Sequence, residues 1–206
     1  MKASDLFVKC LEAEGVTKIF GIPGEENADL MISLKKSKIE FVLCRHEQAA
    51  AFMADVYGRL TGKAGVCLAT LGPGVTNLMT GLADANMDRA PVVAIIGQGS
   101  TERLHKESHQ IMDSISMVAP ISKWAQTILS AKNVTEVVRK AFKVAETEKP
   151  GVTVIELPED VAKEEVNENP IKPSLIRRPA ADYRAVNEAI ELIISAKNPI
   201  ILAGNG

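Results

Sequence analysis

The sequence is 206 residues long, with a formal net charge of −2 and both signs scattered along it. No basic patch suits a nucleic acid, no polybasic helix suits a membrane surface, and no apolar run approaches the length of a membrane span. Hydrophobic residues make up 46% and aromatics only 4%, so Val, Ile, Leu and Ala must build the core.

The amino terminus, Met1-Lys2-Ala3-Ser4-Asp5, enters an amphipathic pattern directly and lacks the apolar core of a signal peptide. Ser4 is the expected N-cap of a helix carrying Leu6, Phe7, Cys10 and Leu11 on one face, which Gly15 stops. Residues 16–20 read as a short strand feeding the turn Gly21-Ile22-Pro23-Gly24. The third glycine of a dinucleotide fingerprint is missing there. A helix is expected over residues 27–36, then a strand over 41–44 and a helix from Gln48, where Ala, Met and Leu take over. Residues 65–70 and 90–96 read as strands covered on both faces. Between these two strands, Gly72-Pro73-Gly74 turns the chain into a helix through Leu78, Leu82 and Ala85. Residues 100–114 are polar, carry His105 and His109, and read as a loop with at most one helical turn. Residues 115–124 are mixed and broken by Pro120.

Asn133-Val134-Thr135-Glu136 has capping-box spacing and opens a helix, which Lys149-Pro150-Gly151 ends before a strand over 152–157. Strands alternate with helices and hairpin signals are absent. This pattern predicts an α/β domain over residues 1–166, an open, mainly parallel sheet with helices on both faces. Prolines at 170, 173 and 179 mark residues 167–180 as a linker. Residues 181–206 bring a helix over 183–196 and a strand over 199–202, the beginning of a further, incomplete domain. One helix and one strand cannot bury a core, so the chain reads as a fragment. Cys10, Cys44 and Cys67 stand apart in apolar runs without metal-ligand spacing. They read as reduced core residues of a cytoplasmic protein.

Glu47 stands where the strand over 41–44 gives way to a helix. In open α/β folds ligands gather outside the carboxyl ends of strands, and position alone makes it a site candidate. Apolar residues flank it on both sides, a setting in which a carboxylate loses hydration and can exchange protons near neutral pH. The bland alternative is an acid that complements the helix dipole.

The run Arg45-His46-Glu47-Gln48-Ala49-Ala50-Ala51-Phe52-Met53-Ala54, closing in Tyr57-Gly58-Arg59-Leu60-Thr61-Gly62, resembles the thiamine-diphosphate enzymes of the acetolactate synthase group. Phe20-Gly21-Ile22-Pro23-Gly24 and Thr70-Leu71-Gly72-Pro73-Gly74-Val75-Thr76-Asn77 match in the same order. The resemblance covers residues 2–166 almost without gaps and implies the pyrimidine-binding domain of such an enzyme, with the start of the middle domain after residue 183. It implies that Glu47 is the carboxylate that hydrogen-bonds the pyrimidine ring of thiamine diphosphate. Ile22, Pro23 and Gly24, together with Thr70, Gly72, Pro73 and Asn77, would form the loops on that side of the cofactor. Asn77 could also fix its own turn, and Leu71 departs from the small polar residue common at its place, which would change the loop surface. Gln110, in Ser108-His109-Gln110-Ile111-Met112-Asp113, resembles a substrate-facing glutamine able to hydrogen-bond the oxygen of a keto acid. His109 replaces a frequent aromatic and His105 reads as structural. Glu25-Glu26 departs from the small residues usual after Pro-Gly, either excluding anionic substrates or facing solvent.

The expected activity is decarboxylation of a 2-keto acid, pyruvate first, and ligation of the two-carbon unit to a second keto acid. Another decarboxylase or carboligase, or a non-catalytic stand-alone assembly or regulatory domain, are the alternatives. No residue of this chain is assigned to a metal. The family's Gly-Asp-Gly…Asn motif is absent, so Mg2+ and the diphosphate would be held by a domain outside this chain. A homodimer or homotetramer through the pyrimidine-binding face is expected, and FAD use is left open because the family's flavin contacts lie mainly in the middle domain.

Overall fold

The computed structural model describes residues 1–173 and 180–204, which fall into two compact units that divide at about residue 174. In the first unit the elements are α1 (Ala3–Ala13), β1 (Lys18–Gly21), α2 (Ala28–Leu34), β2 (Glu40–Leu43), α3 (Glu47–Thr61), β3 (Gly65–Ala69), α4 (Pro73–Met87) and β4 (Val92–Gln98). They continue with α5 (Ser114–Val118), β5 (Trp124–Thr127), α6 (Val134–Glu146), β6 (Val152–Pro158) and α7 (Glu159–Lys163). Six strands form one sheet in the order β2-β1-β3-β4-β6-β5, and every neighbouring pair is parallel. The expected open parallel sheet is therefore present.

The central strands are buried along their whole length, and alternate residues feed two separate cores. Val66, Leu68, Val93, Ile95, Ile155 and Leu157 face a layer made by α1, α2, α6 and α7. Cys67, Ala69, Val92, Ala94, Ile96, Val152 and Val154 face the layer of α3, α4 and α5. Pro73 opens α4 at its first turn, where a missing N–H costs nothing, and Gly62 ends α3 in the left-handed region at φ 68°. Across the outer side of α3 and α4, Arg59 pairs with Asp55 at 2.7 Å, Asp84 at 3.1 Å and Asp88 at 2.7 Å. Cys10, Cys44 and Cys67 are all buried and unpaired.

Several local expectations fail for identifiable reasons. Lys2, not Ser4, sits at the N-cap of α1; Ser4 is buried inside the helix and accepts a hydrogen bond from Ser33 Oγ at 3.0 Å. The helix expected over 27–36 is split into a 3-10 turn, Glu25–Asn27, and a shorter α2. The capping box at Asn133 is not made, because Asn133 already belongs to a 3-10 turn, Ala131–Asn133, whose own cap is Ser130. Pro120 is accommodated in the first turn of a 3-10 segment, Ala119–Ile121, directly after α5. The edge strand β5 follows it, half-exposed and carrying Gln126, so its composition gave no strand pattern.

Residues 167–173 form neither helix nor strand, and Pro179 lies outside the described residues. In the second unit α8 (Tyr183–Ser195) is capped by Asp182, whose carboxylate accepts from the N–H groups of Arg184 and Ala185. The strand expected over 199–202 is not formed. Ile200, Ile201 and Leu202 are exposed, and a strand needs a ladder partner that the described residues of this unit do not supply.

Candidate functional site

From β1 the chain turns outward to β2 at the sheet edge, whereas from β3 it turns inward to β4. The carboxyl ends of β1 and β3 thus flank the point where the winding direction reverses, the place at which open α/β sheets leave a crevice. The loops leaving these two strands are residues 22–24 and 70–72. They touch directly: a Cβ built on Gly24 would lie 2.3 Å from Thr70 Oγ1 and 2.4 Å from Thr70 Cβ, so no side chain fits there. Ile22 is half-buried and its N–H bonds Leu68 O at 3.3 Å, which fixes the first loop to β3. Pro23 is exposed at the lip.

Glu47 is the first residue of α3, with His46 as N-cap accepting from Gln48 N through its side chain. Cys44 N bonds Gly21 O at 2.9 Å, which holds the end of β2 beside β1 and delivers Glu47 to the crevice. Glu47 is only 9% exposed. Its Oε2 accepts a hydrogen bond from Asn77 Nδ2 at 3.0 Å, while Oε1 takes none among the described residues. Asn77 belongs to α4, so its side chain bridges two helices rather than fixing its own turn. Pro73 is exposed, and a Cβ on Gly74 would lie 3.2 Å from Thr70 Cγ2 and 3.7 Å from Glu47 Oε1. Thr70, Gly74, Asn77 and Glu47 therefore occupy one small region.

Gly72 has φ 56°, and a Cβ there would lie 2.7 Å from Gln110 O. The structure thus brings Gln110 to the second loop through its backbone. Gln110 is exposed and itself left-handed at φ 56°. His109 and His105 are both exposed. Leu71 is completely buried, so it fills the core and does not alter the loop surface as its sequence position suggested. The two acids after Gly24 part company: Glu25 is exposed, whereas half-buried Glu26 accepts Thr70 Oγ1 through Oε2 at 2.9 Å.

Sequence reasoning missed two buried polar residues at the same end of the sheet, Gln98 closing β4 and Glu156 on β6, exposed by 2% and 3%. Glu156 accepts from Gln98 Nε2 at 3.0 Å and from Thr127 Oγ1 at 2.6 Å. Burial pushes its carboxyl above the ordinary range, against the pull of those two donors. The one acid in the run 152–157, otherwise Val, Thr, Ile and Leu, was the available signal. Asn27 is a further surprise, since its Oδ1 is buried with no hydrogen-bond partner among the described residues.

Comparison with known proteins agrees with this arrangement. Residues 1–117 match the family described as thiamine pyrophosphate enzyme, N-terminal TPP binding domain. Over its whole length the chain is 41% identical to a probable acetolactate synthase large subunit of Methanococcus aeolicus, covering 36% of that protein. It is 42% identical over 98% of its length to the catabolic acetolactate synthase of Raoultella terrigena, again covering 36% of the relative. A glyoxylate carboligase of Escherichia coli O157:H7 is 37% identical over the entire chain, which covers 35% of it. The chain thus spans little more than a third of the length of these relatives. With a matching profile over more than half of its residues, it belongs to the thiamine pyrophosphate enzymes and carries their N-terminal cofactor-binding domain.

Proposed function

We propose that this chain is the pyrimidine-side half of the active site of an acetolactate-synthase-like enzyme acting on 2-keto acids, pyruvate first. The observation that carries the reading is Glu47, a largely buried carboxylate anchored on one oxygen by Asn77 and, among the described residues, without a hydrogen bond on the other. These residues fit thiamine diphosphate. An unclaimed carboxylate oxygen beside two backbone loops suits a flat heteroaromatic ring with a protonatable nitrogen. When bound, the cofactor supplies the electron sink for losing carbon dioxide from a keto acid.

In this reading Glu47 holds a proton at the pyrimidine ring through Oε1, and Asn77 keeps the carboxylate aimed. Ile22, Pro23, Gly24, Thr70, Gly72 and Pro73 line the ring's surroundings, and Gln110 meets the keto-acid oxygen. Mg2+ and the diphosphate would be held outside this chain, whose sequence lacks the family's Gly-Asp-Gly…Asn motif. Residues 181–206 would begin the middle domain, joined by the linker 167–180. A homodimer or homotetramer through the pyrimidine-binding face is supported by apolar side chains left exposed on β2 and α3, Leu43, Met53, Val56 and Leu60. No helix of the described residues is long and apolar enough to cross a membrane.

Glu47→Gln in the intact enzyme should lower turnover by at least ~100-fold, the scale of a lost acid–base partner, while folding stays unchanged. Survival of activity within a few-fold sinks the assignment. Because the matches include a glyoxylate carboligase, the substrate itself needs a test. Glu26→Gln should change the preference between pyruvate and 2-ketobutyrate, whereas Glu25→Ala should not; the reverse pattern would put Glu25 at the substrate instead.

A further inference from the structure

Gln110, the residue read above as substrate-facing, has little of its own to hold it still. It is exposed, left-handed, and sits in a turn closed by the Ile111 N–H to Ser108 O bond at 3.2 Å. Both flanks of this turn are nevertheless fastened. On one side Arg103 donates from Nε to Ser108 Oγ at 3.0 Å and pairs with Glu159 at 3.3 Å. On the other, Gln98 Nε2 donates to Met112 O at 3.2 Å and to Glu156 Oε1 at 3.0 Å. Gln98 Oε1 accepts from Gly99 N at 3.0 Å, and the second oxygen of Glu156 is taken by Thr127. The Gln98 amide therefore cannot rotate without breaking a bond to the core or to the turn.

A buried carboxylate is a poor device for stability alone. Replacing buried polar groups by apolar ones of similar volume is often neutral or stabilising. Neither Glu156 nor Gln98 has a cationic partner among the described ion pairs, and the line they form runs from the strand ends to the loop. We propose that Gln98 and Glu156 are positioning residues that hold the Gln110 turn against Gly72, so that Gln110 meets the substrate in one orientation. This rests on the reading of Gln110 as substrate-facing.

Hydrogen exchange of the 206-residue chain tests the tether without any turnover. Gln98→Met keeps the side chain's length but removes its amide. It should speed exchange in peptides covering residues 106–113 by ~10-fold, one hydrogen bond's worth, and leave β4 and β6 unchanged. Glu156→Met, which cuts the same line one residue deeper, should give the same pattern. In Glu156→Gln the new oxygen accepts from Gln98, the new amide donates to Thr127, and wild-type rates return. Unaltered exchange in both methionine variants, or strands opening together with the loop, would overturn the tether. In the intact enzyme, Gln98→Met and Gln110→Ala should lower kcat to a similar extent, and the double variant should fall no further. Wild-type kinetics for Gln110→Ala would overturn the substrate role of Gln110, and with it the purpose of the tether, independently of the exchange result.

Discussion

Gly81→Ala offers a test in which two physical effects oppose and the structure decides the sign. In an ordinary helix interior this change stabilises by about 1 kcal/mol, because glycine surrenders more backbone freedom. Gly81, however, lies where α4 crosses α3. A Cβ there would stand 2.6 Å from Ala51 Cβ, 3.1 Å from Phe52 N and 3.2 Å from Gln48 O. All three neighbours are backbone or fixed to it, so none can swing aside. Relaxing the Cβ contact to its optimum near 3.5 Å requires the helices to part by roughly 1 Å. Overpacking of this kind costs about 1–3 kcal/mol and should offset or outweigh the propensity gain, for a net loss of up to about 2 kcal/mol. Ala51 is one turn beyond Glu47, and Gly81 is one turn beyond Asn77, so the crossing sits directly behind their hydrogen bond. An opening of that size would stretch the 3.0 Å bond past its useful range. Urea denaturation should show a lower midpoint at unchanged slope, and turnover of the intact enzyme should fall by ~10-fold or more, the value of a bond to a charged group. A variant that is more stable than wild type, with undiminished turnover, would refute the close-crossing argument.

Two further outcomes follow from burial. Burial pushes the Asp160 carboxyl up, but hydrogen bonds from Thr101 Oγ1 and the Thr101 N–H outweigh it and leave the group below its ordinary 3.8. A depressed folded value means stability that is present above pH 3.8 and lost as pH falls through the folded value. The Tm gap between wild type and Asp160→Asn should therefore be larger at pH 6 than at pH 3; an equal or reversed gap would count against those bonds. Burial also pushes the thiols of Cys10 and Cys67 to about 12, so neither should react with a thiol reagent at pH 8 until urea unfolds the chain. Rapid labelling of both in the native state would contradict their packing.

Much of the fold was legible because its signals are local. Unbroken apolar runs at 65–70 and 90–96 announced doubly covered strands, and alternation with helical stretches announced the parallel sheet. What escaped depended on tertiary partners. Ser4 looks like a cap until Ser33 arrives from α2 to engage it in the core. The strand β5 is defined by its ladder with β6, not by its composition. At the site, Glu47 could be read from its place between strand and helix. That Asn77 would hold its carboxylate, and that Glu26 rather than Glu25 would turn toward Thr70, depended on how α4 and the 3-10 turn pack. Leu71 shows the limit most plainly, since a residue in a loop motif proved to be core.

The sheet also acts as a partition. Glu47, Asn77, Gln98 and Glu156 all belong to elements packed with the α3, α4 and α5 layer, while the larger side chains Phe7, Leu11, Ile19 and Phe142 fill the opposite layer. The two faces bury separate apolar clusters that share only the sheet's backbone, so a volume change behind one face is felt first by its own cluster. Sequence drift in the α1, α2 and α6 layer should therefore change the melting temperature more than the crevice, whereas α7, which holds Arg103 through Glu159, bears on the Gln110 turn as well. The same drift under α3 and α4 should shift Glu47 and Asn77 against each other. One layer serves as ballast, and the other as the tuning mechanism.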